Sequence, residues 1–334
     1  MLLKANQSDS ISTWLGESDD LSIDPALAWD RRMADDAEPG GKLREQMSAS
    51  CILAAVSIQA QAAFSLFFPP SAIDTGTRMI KLISTDFDGT LFAEFEVPPV
   101  PVGLQNLIDR LQKQGAKWVI NTGRDLSSLM EALGRSRLLV KPDFLVLVER
   151  EIYSHRHSEY VEDAAWNRAC DRAHAELFTR VRADVPRLRA WVEERFGAIY
   201  YEDAWSPFCL IAEQTGDANV IHEYLADYCR TVPHLSLVRN DVCSRFSHEA
   251  FNKGTALAEI ARQLGVTPEE TFAAGDHLND LPMLLRRHAC WLAAPGNAVD
   301  AIKEAVRGQN GYVSELTHGH GVAEGLEFYI NAEC

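Results

Sequence analysis

The sequence predicts an α/β protein in which a doubly wound parallel-sheet core is interrupted by an inserted α+β module. Short apolar strands alternate with helical patterns from Met79 to about Val148 and again from about Thr255 to Ala294. That alternation is the signature of βαβ units on a parallel sheet. Between the two blocks, from about Arg156 to Phe246, the order changes to helices followed by paired strands. Residues 1–78 share neither pattern.

In order along the chain, residues 80–85 read as the first strand. Residues 102–114 read as a helix, because Leu104, Leu107, Ile108 and Leu111 recur at helical spacing and Gly115 stops it. Residues 117–121 are the second strand, 126–133 the second helix, ended by Gly134, and 144–148 a third strand behind Pro142. In the inserted module, helical runs over 162–181 and 185–196 lead to strands at 198–201 and 208–213. A helix over 218–229 then precedes strands at 235–239 and 242–246, turned by Asn240-Asp241. The core resumes with a helix over 255–264 closed by Gly265, a capping-box-like start at Thr267 to Glu270, and strands at 271–274 and 291–294. The expected division is therefore an N-terminal extension over 1–78, a first core segment over 79–155, the α+β module over 156–246, and a second core segment over 247–334.

The first fifty residues carry ten acids and five bases around short apolar runs without a sustained period, and Pro69-Pro70 breaks the chain before Met79. The folded part is expected to start near Met79, with a poorly structured leader before it. The whole chain has 334 residues, a prior of roughly two domains. Lys plus Arg number 32 against 48 for Asp plus Glu, a formal charge of −16. Such a surface repels a phosphate backbone, which argues against a general nucleic-acid binder. A small anionic substrate remains open if cations are gathered locally. The seven cysteines are scattered and include no C-x-x-C pair, so a disulfide framework or cysteine zinc site is not expected and a reducing cytoplasm fits. The most apolar stretch, 52–68, is interrupted by Ser57, Gln59, Gln61 and Ser65 and is shorter than the ~20 residues of a bilayer span, so no membrane anchor is read.

Four strings fall at expected strand ends or helix starts. Asp86-Phe87-Asp88-Gly89-Thr90 follows the first strand, where the ligand crevice of an open α/β sheet lies. A turn at Gly89 lets one carboxylate attack an electrophile while the other handles a proton. Asp-Gly is also an ordinary turn pair. Asn121-Thr122-Gly123-Arg124 follows the second strand and opens a helix, offering a hydroxyl and backbone N–H groups to phosphate oxygens, or a plain N-cap. Lys253-Gly254 precedes another helix, and a solvated surface lysine is its bland alternative. Gly275-Asp276-His277-Leu278-Asn279-Asp280 follows a strand and adds two carboxylates four positions apart, or a polar loop with a helix cap.

Taken together, DFDGT, NTGR, NKGTAL and GDHLND resemble, in order, the motifs of the haloacid dehalogenase (HAD) superfamily, in its Cof-type and sucrose-phosphate-phosphatase-like subgroup. The likeness spans roughly Met79 to Ile330. Weaker similarity to the sucrose-phosphatase branch runs from Pro142-Asp143 through Glu151-Ile152-Tyr153 to Trp166. The resemblance implies a Rossmann-like core with a C2-type cap, and a Mg²⁺-dependent phosphatase acting on a small phosphorylated metabolite, most simply a sugar phosphate. It implies Asp86 as nucleophile, passing through an aspartyl-phosphate, and Asp88 as general acid and base. Mg²⁺ would be held by Asp86, Asp276, Asp280 and the Asp88 backbone carbonyl, an oxygen set suited to that ion. Lys253 would screen the phosphoryl group, Thr122, Gly123 and Arg124 would bind its oxygens, Thr90 would orient Asp88, and Asn279 would support the phosphate or nearby loops.

A second acid matters only for a leaving group that must be protonated, so Asp88 favours phosphoester chemistry over dehalogenation. Phosphomutases keep this acid, but their caps typically lie between the first two motifs, where Leu91 to Asn121 has room only for a flap and one helix. A noncatalytic phosphometabolite-binding module is the other alternative, and it has no use for Asp88. Glu149-Arg150 departs from the Gly-containing turn common in the family, and the flap carries Pro98, Pro99 and Pro101. His155-Arg-His157 and His318-Gly-His320 lack i, i+4 spacing and are not read as metal sites, and His277 reads as a neutral loop residue. Tyr200, Tyr201 and Trp205 either stack on a sugar ring or pack within strands.

Overall fold

A computed structural model describes residues 79–331. The expected leader over 1–78 lies outside the described residues. The described residues form two sheets. The larger has eight strands in the order β12-β11-β10-β1-β2-β3-β4-β5. Its centre is β1 (Leu82–Thr85), paired in parallel with β2 (Lys117–Asn121) and β10 (Thr271–Ala274). β3 (Phe144–Leu147), β11 (Trp291–Ala294) and β12 (Tyr312–Val313) extend it in parallel, while β4 (Glu151–Arg156) and β5 (Glu159–Glu162) close one edge antiparallel.

Alternation along each strand explains the double winding, since successive side chains leave on opposite faces. Ile83, Trp118, Ile120, Leu145 and Phe272 face one core, shared with α1 (Val102–Lys113), α2 (Leu126–Ser136) and α8 (His318–Asn331). Leu82, Val119, Val146, Ala273 and Leu292 face the other, shared with α6 (Lys253–Leu264) and α7 (Asp300–Gly308). The smaller sheet, β6-β7-β9-β8, is antiparallel and comprises β6 (Ala198–Tyr201), β7 (Cys209–Ala212), β8 (Leu235–Asn240) and β9 (Cys243–His248). Phe208, Leu210 and Phe246 bury one of its faces under α3 (Ala164–Val181), α4 (Val185–Glu193) and α5 (Thr215–Thr231). The other face carries Arg245 toward the large sheet.

Two local readings change. β5 belongs to the large sheet, so the break between sheets falls after Glu162 rather than at Arg156. Helix α2 continues through Gly134 to Ser136 and stops at Arg137, whose φ of 54° turns the chain left-handed. Gly134 has nothing near its missing side chain, so an exposed glycine is carried inside the helix at a modest cost.

Candidate active site

The central strands deliver their motifs to a single edge. Asp86 follows β1, Thr122 follows β2 and the 275–280 loop follows β10, all at the carboxyl ends of parallel strands. Lys253 arrives from a different direction, as the first residue of α6. Asn252 caps that helix by accepting from the N–H groups of Gly254 and Thr255, which fixes the backbone from which Lys253 projects. Asn121 strengthens the placement by donating to the Lys253 carbonyl at 3.0 Å.

Lys253 is fully buried and donates to Asp86 Oδ1 and to Asp280 Oδ1, each at 2.6 Å. Carboxylate oxygens of Asp86, Asp276 and Asp280 lie within 4.8 Å of one another. Burial raises the Asp86 pKa well above the ordinary carboxylate range, and the charges of Asp280 and Asp276 push in the same direction against Lys253. Burial, then Asp280, pushes Asp276 up to about 7. Burial opposes the Lys253 charge, but Asp280 and Asp86 outweigh it and hold its pKa above the usual lysine range. Three ionised carboxylates around one ammonium leave two negative charges uncompensated in a buried space. An oxygen-only donor set of that charge and spacing fits a divalent cation such as Mg²⁺.

The remaining predicted residues surround this cluster, with several changes of partner. Gly89, at φ +75°, turns the chain so that Thr90 donates to Asp276 Oδ1 at 2.6 Å. Thr90 thus orients Asp276, not Asp88 as expected. Asp88 is instead gripped by Arg124, from Nε to Oδ2 at 2.8 Å and from Nη2 to Oδ1 at 2.7 Å. Arg124 was expected to meet phosphate; here its planar fork matches a carboxylate two-to-two. Thr122 Oγ1 accepts from the Arg124 N–H at 3.1 Å, and Asp125, not Thr122, caps α2. Asp280 also closes its own loop, its Oδ2 accepting from the N–H groups of Asp276 and His277. Asn279 Nδ2 donates to Glu149 Oε1 at 3.0 Å. Gly123 packs beside that carboxylate, where a Cβ would lie 3.3 Å from Oε1.

Glu149 and Arg245 are the residues that sequence reading did not assign. Glu149 was visible only as a departure from a glycine-containing turn, and its φ of 66° explains why glycine suits the position. Its Oε2 accepts from Arg245 Nη2 of β9 at 3.1 Å, joining the two sheets. No local string marks Arg245, because its partners lie about a hundred residues away. Of the aromatic candidates, Tyr200 packs edge-to-face on Phe208 and donates to the Pro207 carbonyl, the bland alternative. Trp205 donates to Glu151 Oε1 at 2.9 Å, docking its loop on the large sheet.

Fold and site define a class: α/β enzymes that gather acids and a lysine at parallel strand ends beneath an α+β cap. Comparison with known proteins agrees. Residues 79–194 match the family of sucrose-6F-phosphate phosphohydrolases, and residues 194–326 match haloacid dehalogenase-like hydrolases. A relative from Bacillus subtilis, the 5-amino-6-(5-phospho-D-ribitylamino)uracil phosphatase YcsE, is 27% identical over 262 residues, 75% of this chain and 96% of that protein. Phosphatase YwpJ of the same organism is 24% identical over 293 residues, 75% of this chain and all of that protein. Among solved structures, the sucrose-phosphatase of Synechocystis sp. PCC6803, in complex with sucrose and phosphate, aligns at a TM-score of 0.58 and 17% identity, covering 75% of this chain and 98% of its own. This chain belongs to the haloacid dehalogenase-like hydrolases, in the Cof-type and sucrose-phosphatase-like group. It is a phosphatase.

Proposed function

We propose that the enzyme hydrolyses the phosphate monoester of a small metabolite, most simply a sugar phosphate, with Mg²⁺ and by way of an aspartyl-phosphate on Asp86. The observation that carries this reading is the buried trio of carboxylates around Lys253, which when all three are ionised leaves two negative charges uncompensated. Asp86, Asp276, Asp280 and the Asp88 carbonyl would hold the ion. When bound, it would supply the positive charge that lets a dianionic ester approach Asp86.

The chain's own groups account for the remaining steps. Lys253 holds Asp86 through Oδ1, so Oδ2 is the oxygen for attack on phosphorus. As the P–O bond to the leaving group breaks, Asp88 gives that oxygen a proton, and it later takes one from the water that hydrolyses the acyl phosphate. The Asp88–Arg124 pair must part for either transfer, which brings the guanidinium into reach of phosphate oxygens. Lys253 offsets charge on the transferring group in a space without bulk water. A mutase reading is less favoured, because between the first two motifs the structure has only the flap and α1. A reducing compartment such as the cytoplasm is part of this reading, since the seven cysteines are scattered and include no C-x-x-C pair.

The test is a panel of phosphate esters, including an aryl phosphate, with and without Mg²⁺. Turnover should need the ion, and Asp86→Asn should lower kcat by about 10⁴-fold or more. Undiminished turnover in excess chelator, or in Asp86→Asn, would overturn the reading.

A further inference from the structure

Glu149 stands in a conformation that glutamate seldom adopts. It follows Val148, and the two have φ values of 66° and 43° at the end of β3. A β-branched residue followed by a glutamate in this region persists only where surrounding contacts over-determine it. Those contacts are specific. One Glu149 oxygen accepts from Asn279, in the same loop as Asp276 and Asp280, and the other accepts from Arg245 of the cap. Gly123 borders the carboxylate on the side of the second motif. Glu149 therefore stands at the boundary between the phosphate-side motifs and the cap, where the part of a substrate beyond its phosphate must lie.

The chemistry of this boundary is selective. Arg245 is enclosed by negative charge from Glu149 and Asp203, so its cation is already balanced. Asn279 Oδ1 is buried without a hydrogen-bond partner, an acceptor awaiting a donor. A carboxylate and an amide oxygen that accept, next to a guanidinium that donates, match hydroxyl groups, which do both. A second anion on the leaving group would instead face the Glu149 carboxylate, while the neighbouring guanidinium of Arg150 is engaged by the Trp205 carbonyl and Ser247 Oγ.

We propose that Glu149, Asn279 and Arg245 form the leaving-group subsite, and that it selects phosphate esters of uncharged polyhydroxyl compounds over esters carrying a second anion. This rests on the phosphatase reading above and deepens it. In the structure the Glu149–Arg245 contact bridges core and cap. A diol entering between them exchanges that contact for hydrogen bonds to both partners, so cap closure and recognition occur at the same atoms.

The experiment compares kcat and KM of the full-length enzyme for ribitol phosphate and for phosphoglycolate. The wild type is expected to favour the polyol ester in kcat/KM by about tenfold or more, since a site built to hydrogen-bond hydroxyls discriminates strongly against analogues lacking them. Glu149→Gln keeps the shape and removes the charge, and should shrink that preference about tenfold, chiefly through KM. Glu149→Gly suits the left-handed backbone and serves as a second variant if the first folds poorly; it should shrink the preference likewise. A wild-type preference for phosphoglycolate, or a ratio unmoved within about twofold in both variants, would overturn the subsite while leaving the phosphatase intact. If no phosphate ester is hydrolysed at all, the phosphatase reading itself fails and the subsite with it.

Discussion

Gly89 illustrates how closely this site is packed. With φ +75°, a Cβ built on it would stand 2.5 Å from Asp276 Oδ2. Gly89→Ala combines backbone strain with a collision against a candidate ion ligand, so it should destabilise the fold by more than about 1 kcal/mol. It should also cut kcat/KM at least tenfold, read by thermal melts alongside a phosphate-release assay. Thr90→Val is the subtler change, preserving volume while removing the donor to Asp276 Oδ1. That hydrogen bond holds the Asp276 pKa down against burial and Asp280. Its loss should raise the pKa further, move the acidic limb of the activity profile to higher pH, and raise the half-saturating Mg²⁺ concentration about tenfold. A Mg²⁺ titration of Thr90→Val and Thr90→Ser together separates the donor from the side chain's bulk, since serine retains the donor.

The helices show what the chain encodes locally and what it leaves to contacts. Leu104, Leu107, Ile108 and Leu111 specify α1, and Gly265 ends α6 at φ 67°, both readable from spacing and composition. The edge strands β4 and β5 were not legible as strands, because their residues are mostly half-buried or exposed and polar, so no apolar run marks them. Glu149 was harder still: nothing nearby announces that a glutamate will sit left-handed, since its hydrogen bonds come from Asn279 and Arg245, both far along the chain. Two elements carry predictions. Asn252→Ala removes the α6 cap that accepts from Gly254 and Thr255, and should cost about 1 kcal/mol in denaturant melts, with Lys253 less firmly placed. Helix α3 buries His174 against Ser247 of β9 and the Cys170 carbonyl, and burial, then Arg150, pushes its pKa down to about 3. The unfolded chain takes up that proton near pH 6.5 and the native protein does not, so this histidine's contribution is complete above pH 6.5 and is lost as pH falls toward 3. At pH 5 the loss is about 2 kcal/mol, and the fall in stability from pH 7 to 5 should shrink by that amount in His174→Asn.

Across the molecule, the four motifs were readable as strings because each occupies a single strand end or helix start, and DFDGT with GDHLND already implied convergence. Their actual pairing was not readable. Thr90 on Asp276 and Arg124 on Asp88 depend on how strands β1, β2 and β10 stand side by side. That arrangement also has a thermodynamic consequence for the protein as a unit. Folding assembles three carboxylates around Lys253 that are far apart in the unfolded chain, so only the native state offers Mg²⁺ this site. An ion that binds the native state alone stabilises it by RT ln(1 + [L]/Kd), about 2.7 kcal/mol at a hundredfold excess over Kd. For a folded body of this size that corresponds to a rise in Tm of roughly 5–10 °C. The rise should vanish with chelator and be largely absent in Asp276→Asn, whose neutral amide removes one of the two uncompensated charges. A Tm indifferent to millimolar Mg²⁺ in the wild type would mean that Lys253 together with protons on the raised carboxyls of Asp86 and Asp276 balances the cluster. The activity would then have to proceed without the ion.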